Sequence, residues 1–277
     1  MTGQRQVAEE AWKELRELAV RTENIYYKLM SLAMDSILIF LDGNLEETVE
    51  TADRIRTVSE EAGVTGSTDL YLRCAGMKAL FYMGTSTEDI TEHDPRFWDK
   101  QVYSDVRHCL AYAHIGRSQD AISILERDMV NRPGFNTDND WTSIWEDVFY
   151  LEASVLTGHK KAAEMLLNHL DVPGLCTTGW DVPTCIPRHL GSAATLLGRY
   201  DDAREHYKTS FRVCTEMNFR PELALTHLNF AELLLDHFPK EKAEALEHLD
   251  FAIKEFREMK MQPSLERALR RKDILKA

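Results

Sequence analysis

Glycine and proline are scarce: 13 and 8 among 277 residues, against about 12% together in ordinary proteins. A chain so poor in breakers and rich in Ala, Leu, Glu and Lys reads as mostly helix. Cysteine is sparse too, and the five present (Cys74, Cys109, Cys176, Cys185, Cys214) show no paired CxxC spacing. A disulfide framework or a four-cysteine zinc site is therefore not expected, and the thiols read as small apolar fillers. Cys176 and Cys185 bracket one loop, where a pairing or a shared metal is the lesser reading. The longest apolar run, near Ile37 to Leu41, is too short to span a bilayer, and MTGQRQVAEEAW carries no signal-peptide core. A cytoplasmic protein with no membrane contact is expected. Positive charge is the minority, 33 basic against 46 acidic residues for a net −13, which argues against a general nucleic-acid or anionic-membrane surface.

Catalytic signatures are missing as well. The chain has no GxSxG, no HExxH and no GxxxxGKS/T phosphate loop, so no catalytic residue, metal or cofactor is assigned. Asp201-Asp202-x-x-Glu205 has the look of an acidic metal-binding run, but it sits where a helix begins, and acids there stabilise the helix dipole. His159, His169, His206 and His248 read as surface or turn residues. The basic run Arg267, Arg270, Arg271, Lys272 and Lys276 reads as compensation of the last helix's negative end.

What the chain does have is punctuation that repeats. Gly43, Gly84, Gly116, Gly158 and Gly198 fall 41, 32, 42 and 40 residues apart, room for two helices and two turns each. Each follows an amphipathic segment and precedes another that starts with acids, as in CLAYAHIGRSQDAISIL and SAATLLGRYDDAREHY. Glycine ends a helix because it takes the left-handed conformation cheaply. Ala121, Ala163 and Ala203, five residues after a glycine, let paired helices approach closely. The pattern predicts an all-α chain of about fourteen helices in seven antiparallel pairs, one domain over residues 1–277. Two interruptions, Asn131 to Trp141 and Asp171 to Pro187, contain aromatic residues and read as ordered loops.

The stretch RHLGSAATLLGRYDDAREHYKTSF matches the tetratricopeptide signature at Leu190, Gly191, Ala193, Leu197, Gly198, Tyr200, Ala203 and Tyr207. Together with GFNTDNDW, FRPELALTHLNFAELLL and AEALEHLDFAIKEFREMKMQPSLERA, it makes the chain resemble the tetratricopeptide-like C-terminal region of two groups of bacterial signalling proteins. These are ATPase-containing adenylate cyclases and LuxR-type, maltose-regulator-like transcriptional regulators. The resemblance implies a right-handed superhelical solenoid that acts as a sensor or scaffold and binds a partner or effector. It carries over no catalytic residues, and no ATPase, cyclase or DNA-binding segment is visible here.

In tetratricopeptide arrays the first helix of each pair lines the concave face. Transferring that register points Tyr71, Cys74, Lys78, Phe81 and Tyr82 inward, then Tyr103, Val106, Arg107, Leu110 and His114. Trp145, Phe149 and Glu152 follow, then Arg188, His189, Ser192 and Thr195, and last Thr226, His227 and Phe230. Trp180 would cap one end. An acidic protein would thus line its groove with aromatic, basic and imidazole groups, suited to a peptide, a protein or a small anionic or aromatic effector. The alternative is an enzyme using the same concavity, with His114, His189 or His227 as acid-base groups and Arg107 and Arg188 holding an anion. Homo-oligomerisation is left open.

Overall fold

The computed structural model describes residues 4–64, 75–84, 105–179 and 183–274. Among these, thirteen α-helices and no strand are present, so the chain is all-α. They are α1 (Arg5–Thr22), α2 (Ile25–Leu41), α3 (Leu45–Glu61), α4 (Gly76–Met83), α5 (Asp105–His114) and α6 (Ser118–Ile124). A π-helical turn over Leu125–Val130 extends α6, and α7 (Ile144–Thr157), α8 (Lys160–Leu170), α9 (Ile186–Leu196) and α10 (Tyr200–Glu216) follow. The last three are α11 (Arg220–His237), α12 (Lys242–Glu258) and α13 (Gln262–Ile274). No described helix is long and apolar enough to cross a membrane.

All five punctuating glycines take positive φ, between 70° and 84°. The conformation matters most at Gly84, where a Cβ would lie 2.6 Å from the Pro263 ring at the head of α13. A side chain there would push the last helix away from α4.

Successive helices pack as hairpins, most extensively α9 on α10 and α11 on α12. Cys185 and Ser192 on α9 and its cap meet Ser210 and Tyr207 on α10, an antiparallel register. Gly191 leaves room for the Tyr207 ring, whose Cε1 lies 2.7 Å from where a Cβ would project. Ala203 is wholly buried. Ala203→Leu should cost about 1–3 kcal/mol through overpacking, read from urea denaturation. A neutral outcome would mean that this seam is looser than its packing indicates.

The odd-numbered helices α7, α9, α11 and α13 form an inner row, each touching the next but one in sequence, and α13 returns to α4. Early and late helices also meet elsewhere. Arg220 Nη1 donates to the Asp42 carbonyl at 3.4 Å, and Lys260 pairs with Glu46 at 2.6 Å. Phe40 packs edge-on to Phe219 at 5.7 Å. A continuous apolar core runs from Leu29 to Ala268. Cys109, Cys176, Cys185 and Cys214 are buried free thiols inside it, while Cys74 lies outside the described residues. Burial pushes the Cys109 thiol up to about 12, so it stays protonated.

Candidate functional site

A cavity of about 610 Å³ opens between α4, α5, α7, α9, α11 and α13, with Tyr207 of α10 behind it. Its size is that of a small-molecule site. Val155, Leu156, Leu196, Leu225 and Leu233 supply apolar wall, and Phe81 stacks on His114 with ring centres 4.6 Å apart. Leu156 stays 44% exposed although it belongs to that wall, so apolar surface faces the opening.

Charged groups withdrawn from water form the floor. Lys78 on α4 is fully buried and donates to Glu152 on α7 at 2.6 Å and to Thr184 at 3.2 Å. Glu222, also fully buried, accepts from Arg188 Nε at 2.5 Å, Arg188 Nη2 at 3.1 Å, Tyr82 at 2.5 Å and Thr184 at 3.0 Å. Helix α9 begins just after Thr184, and its first turns carry Arg188 and His189 into this centre. His189 Nε2 lies 3.1 Å from Arg188 Nη2 and 2.8 Å from the Thr184 hydroxyl. His114 Nε2 meets Glu152 at 3.3 Å.

Burial alone would raise both carboxyls, but the neighbouring cations prevail. Arg188 and then Lys78 hold Glu222 at about 2, and Lys78 holds Glu152 well below the usual range. Burial, and next the Glu222 carboxylate, lift the Tyr82 phenol far above its ordinary value. Burial and the adjacent Arg188 cation push His189 down to about 3, leaving it neutral near pH 7.

Of the residues singled out from sequence, Tyr82, His114, Arg188 and His189 line the cavity together with Phe81, Glu152, Ser192 and Thr195. Lys78 stands behind this surface. Arg107 and Trp145 are buried against each other, with the guanidinium 5.6 Å from the indole ring. Phe149 is core, edge-on to Trp145 at 5.6 Å. None of these three lines the cavity, because their side of α5 and α7 faces the neighbouring helices. His227 is also elsewhere, in the seam between α11 and α12, stacked on Phe251 with its Nδ1 2.6 Å from that of His248. His248 accordingly belongs to the same seam and is half-buried. Tyr71, Tyr103 and Trp180 lie outside the described residues.

The register transferred to α11 is displaced. Thr226 bonds to Ser210 at 2.7 Å and Phe230 packs on Tyr207, so both face α10. The cavity instead receives Leu225, Asn229, Glu232, Leu233 and Asp236, with Glu222 beneath them. Sequence reasoning missed this stripe because α11 is apolar on most sides, so its periodicity selects no single inward face. Glu222 stands in the first turn of α11, where an acid reads as dipole compensation. Its spacing from Arg188, 34 residues, was the available signal.

Arg267, Arg271 and Lys272 are spent on ion pairs across the helices, Arg270 lies 3.8 Å from Glu266 within α13, and Lys276 lies outside the described residues. Arg267 chelates Glu232, Arg271 reaches Asp236 at 2.5 Å, and Lys272 pairs with Asp250. Asp201 and Asp202 occupy the first turn of α10, and no group of three metal-ligating side chains occurs among the described residues. Comparison with protein-family models and with curated proteins gives no match.

Proposed function

We propose that this protein is a tetratricopeptide-like helical-repeat module that binds a small effector in the cavity between α4, α7, α9, α11 and α13, as the sensor part of a bacterial signalling system. The cavity itself carries the reading: apolar walls stand over a polar floor whose charges are already paired. Such a site meets a ligand without large rearrangement. The repeat reading is supported by the spacing of polar partners, since Arg188–Glu222, Arg199–Glu164, Arg220–Glu255, Arg267–Glu232 and Arg271–Asp236 are 34 or 35 residues apart. Contact of α13 with α4, which brings a late helix back against an early one, favours a small-molecule site over an open peptide groove.

One observation favours the enzyme alternative: His114 and His189 both approach Glu152, at 3.3 Å and 3.9 Å. Against it, the His189 ring stays neutral, so it is a poor proton donor. A thermal-shift screen of small metabolites tests the binding reading. At about one hundred times its Kd a ligand should add about 2.7 kcal/mol. Leu156→Trp, placed at the exposed wall, should abolish that gain without lowering the melting temperature of the empty protein. If every stabilising compound acts equally on Leu156→Trp, the cavity is not the site.

A further inference from the structure

The charges around the cavity cancel. On the floor Lys78 and Arg188 face Glu152 and Glu222, and at the rim Arg267 and Arg271 face Glu232 and Asp236. Four cations meet four anions. The anion-binding groove suggested by Arg188 in the sequence is therefore not what this geometry offers. An additional charge set against the buried floor would lack a counter-ion, and an uncompensated buried charge costs several kcal/mol in typical interiors.

The unused hydrogen-bonding groups define the ligand further. Both Glu222 oxygens accept from protein donors, and so do both Glu152 oxygens. Arg188 is only 6% exposed and spends Nε and Nη2 on Glu222. Its Nη1, carrying two N–H groups, meets no acceptor among the described residues, and the residue lines the cavity. An acceptor lines the same cavity. Asn229 Nδ2 donates to Ser192 Oγ at 3.1 Å, and Ser192 Oγ donates to the Arg188 carbonyl at 3.1 Å. That chain ties Asn229 to the turn of α9 that follows the Arg188 backbone. Its Oδ1 has no donor among the described residues.

We propose that the ligand is an uncharged amphiphile with an amide-type polar end, its carbonyl on Arg188 Nη1 and its N–H on Asn229 Oδ1, and an apolar body along Leu156, Leu196 and Leu225. The inference rests on the cavity being the effector site. A carboxylate of the same length satisfies Arg188, but it presents a lone pair to Asn229 Oδ1 and leaves the cavity with one uncompensated negative charge. Arg188 discriminates here as one half of an ion pair, because Glu222 has already neutralised it.

Octanamide and octanoate are the probes, titrated calorimetrically near neutral pH. Octanamide should bind at least about tenfold more tightly, a difference of about 1.4 kcal/mol. Glu232→Gln, at the rim and 15% exposed in its side chain, adds one positive charge to the cavity. It should narrow or reverse the preference by strengthening octanoate. Arg188→Lys keeps the charge opposite Glu222 but removes the spare guanidinium donors, and should weaken octanamide with the fold intact by circular dichroism. Tighter binding of octanoate to the wild type, or binding of neither probe, overturns the proposal. A Leu156→Trp-sensitive anionic compound from the metabolite screen would overturn the ligand class alone. Loss of all Leu156→Trp-sensitive binding would overturn the site as well.

Discussion

Glu222→Ala should destabilise the protein by about 3–5 kcal/mol, the range for breaking one side of a buried ion pair. The change strands the Arg188 cation at 6% exposure and leaves the Tyr82 and Thr184 hydroxyls without their shared acceptor. The double variant Glu222→Leu with Arg188→Met should recover much of the loss, since removing both charges removes the desolvation that the pair offsets. Exposed Glu205, 2.7 Å from Lys208 on α10, supplies the contrast: Glu205→Ala should change stability by less than about 1 kcal/mol. Guanidinium denaturation of the four proteins decides the matter. A Glu222→Ala variant as stable as Glu205→Ala, or a double variant no better than the single, would show that the floor is more hydrated than its burial indicates.

The same pair marks the boundary between what local sequence sets and what tertiary structure supplies. Helix ends are legible where local chemistry sets them: glycine at Gly84 and Gly158 ends α4 and α7, whereas α7, expected from residue 139, starts only at the Ser143–Glu146 capping box. The helices expected over residues 185–197 and 201–217 form α9 (Ile186–Leu196) and α10 (Tyr200–Glu216), within about one residue at each end. The inward face of α9 is legible too, since Arg188, His189, Ser192 and Thr195 follow a well-matched repeat. The face of α11 is not, because leucines and alanines surround that helix and its neighbours choose its rotation. Nor does local sequence single out Glu222 as the partner of Arg188, although their 34-residue spacing is a signal for it. An arginine forecast as an anion clamp becomes half of a neutral pair once tertiary structure supplies Glu222. His227 failed differently: aromatic and imidazole residues suit a groove and a helix seam equally well, and Phe211, His248 and Phe251 claim it for the seam.

Acid should weaken the fold in two stages, and the histidines govern the first. Burial and then Arg188 push His189 to about 3, and burial and then His248 push His227 to about 3. In the unfolded chain each imidazole titrates near 6.5. Below that pH the unfolded state binds more protons than the folded one, so stability is complete above about 6.5 and declines on acidification towards about 3. Between about pH 7 and pH 5 each group should remove about 2 kcal/mol, and two together about 4 kcal/mol. His248 and His108, also lowered by burial, act in the same direction. The second stage begins below about pH 4.3, where the unfolded carboxyls take up protons that Glu222 and Glu152 still refuse. His227→Phe isolates one contribution, because a phenyl ring can occupy the space between Phe211 and Phe251 and cannot titrate. Its stability should fall less steeply from pH 7 to pH 5, by about 1 kcal/mol per pH unit on average. Denaturation curves at half-unit pH intervals measure both slopes. Stability that stays level across that interval in the wild type would mean that these imidazoles are open to water or find an acid partner when protonated.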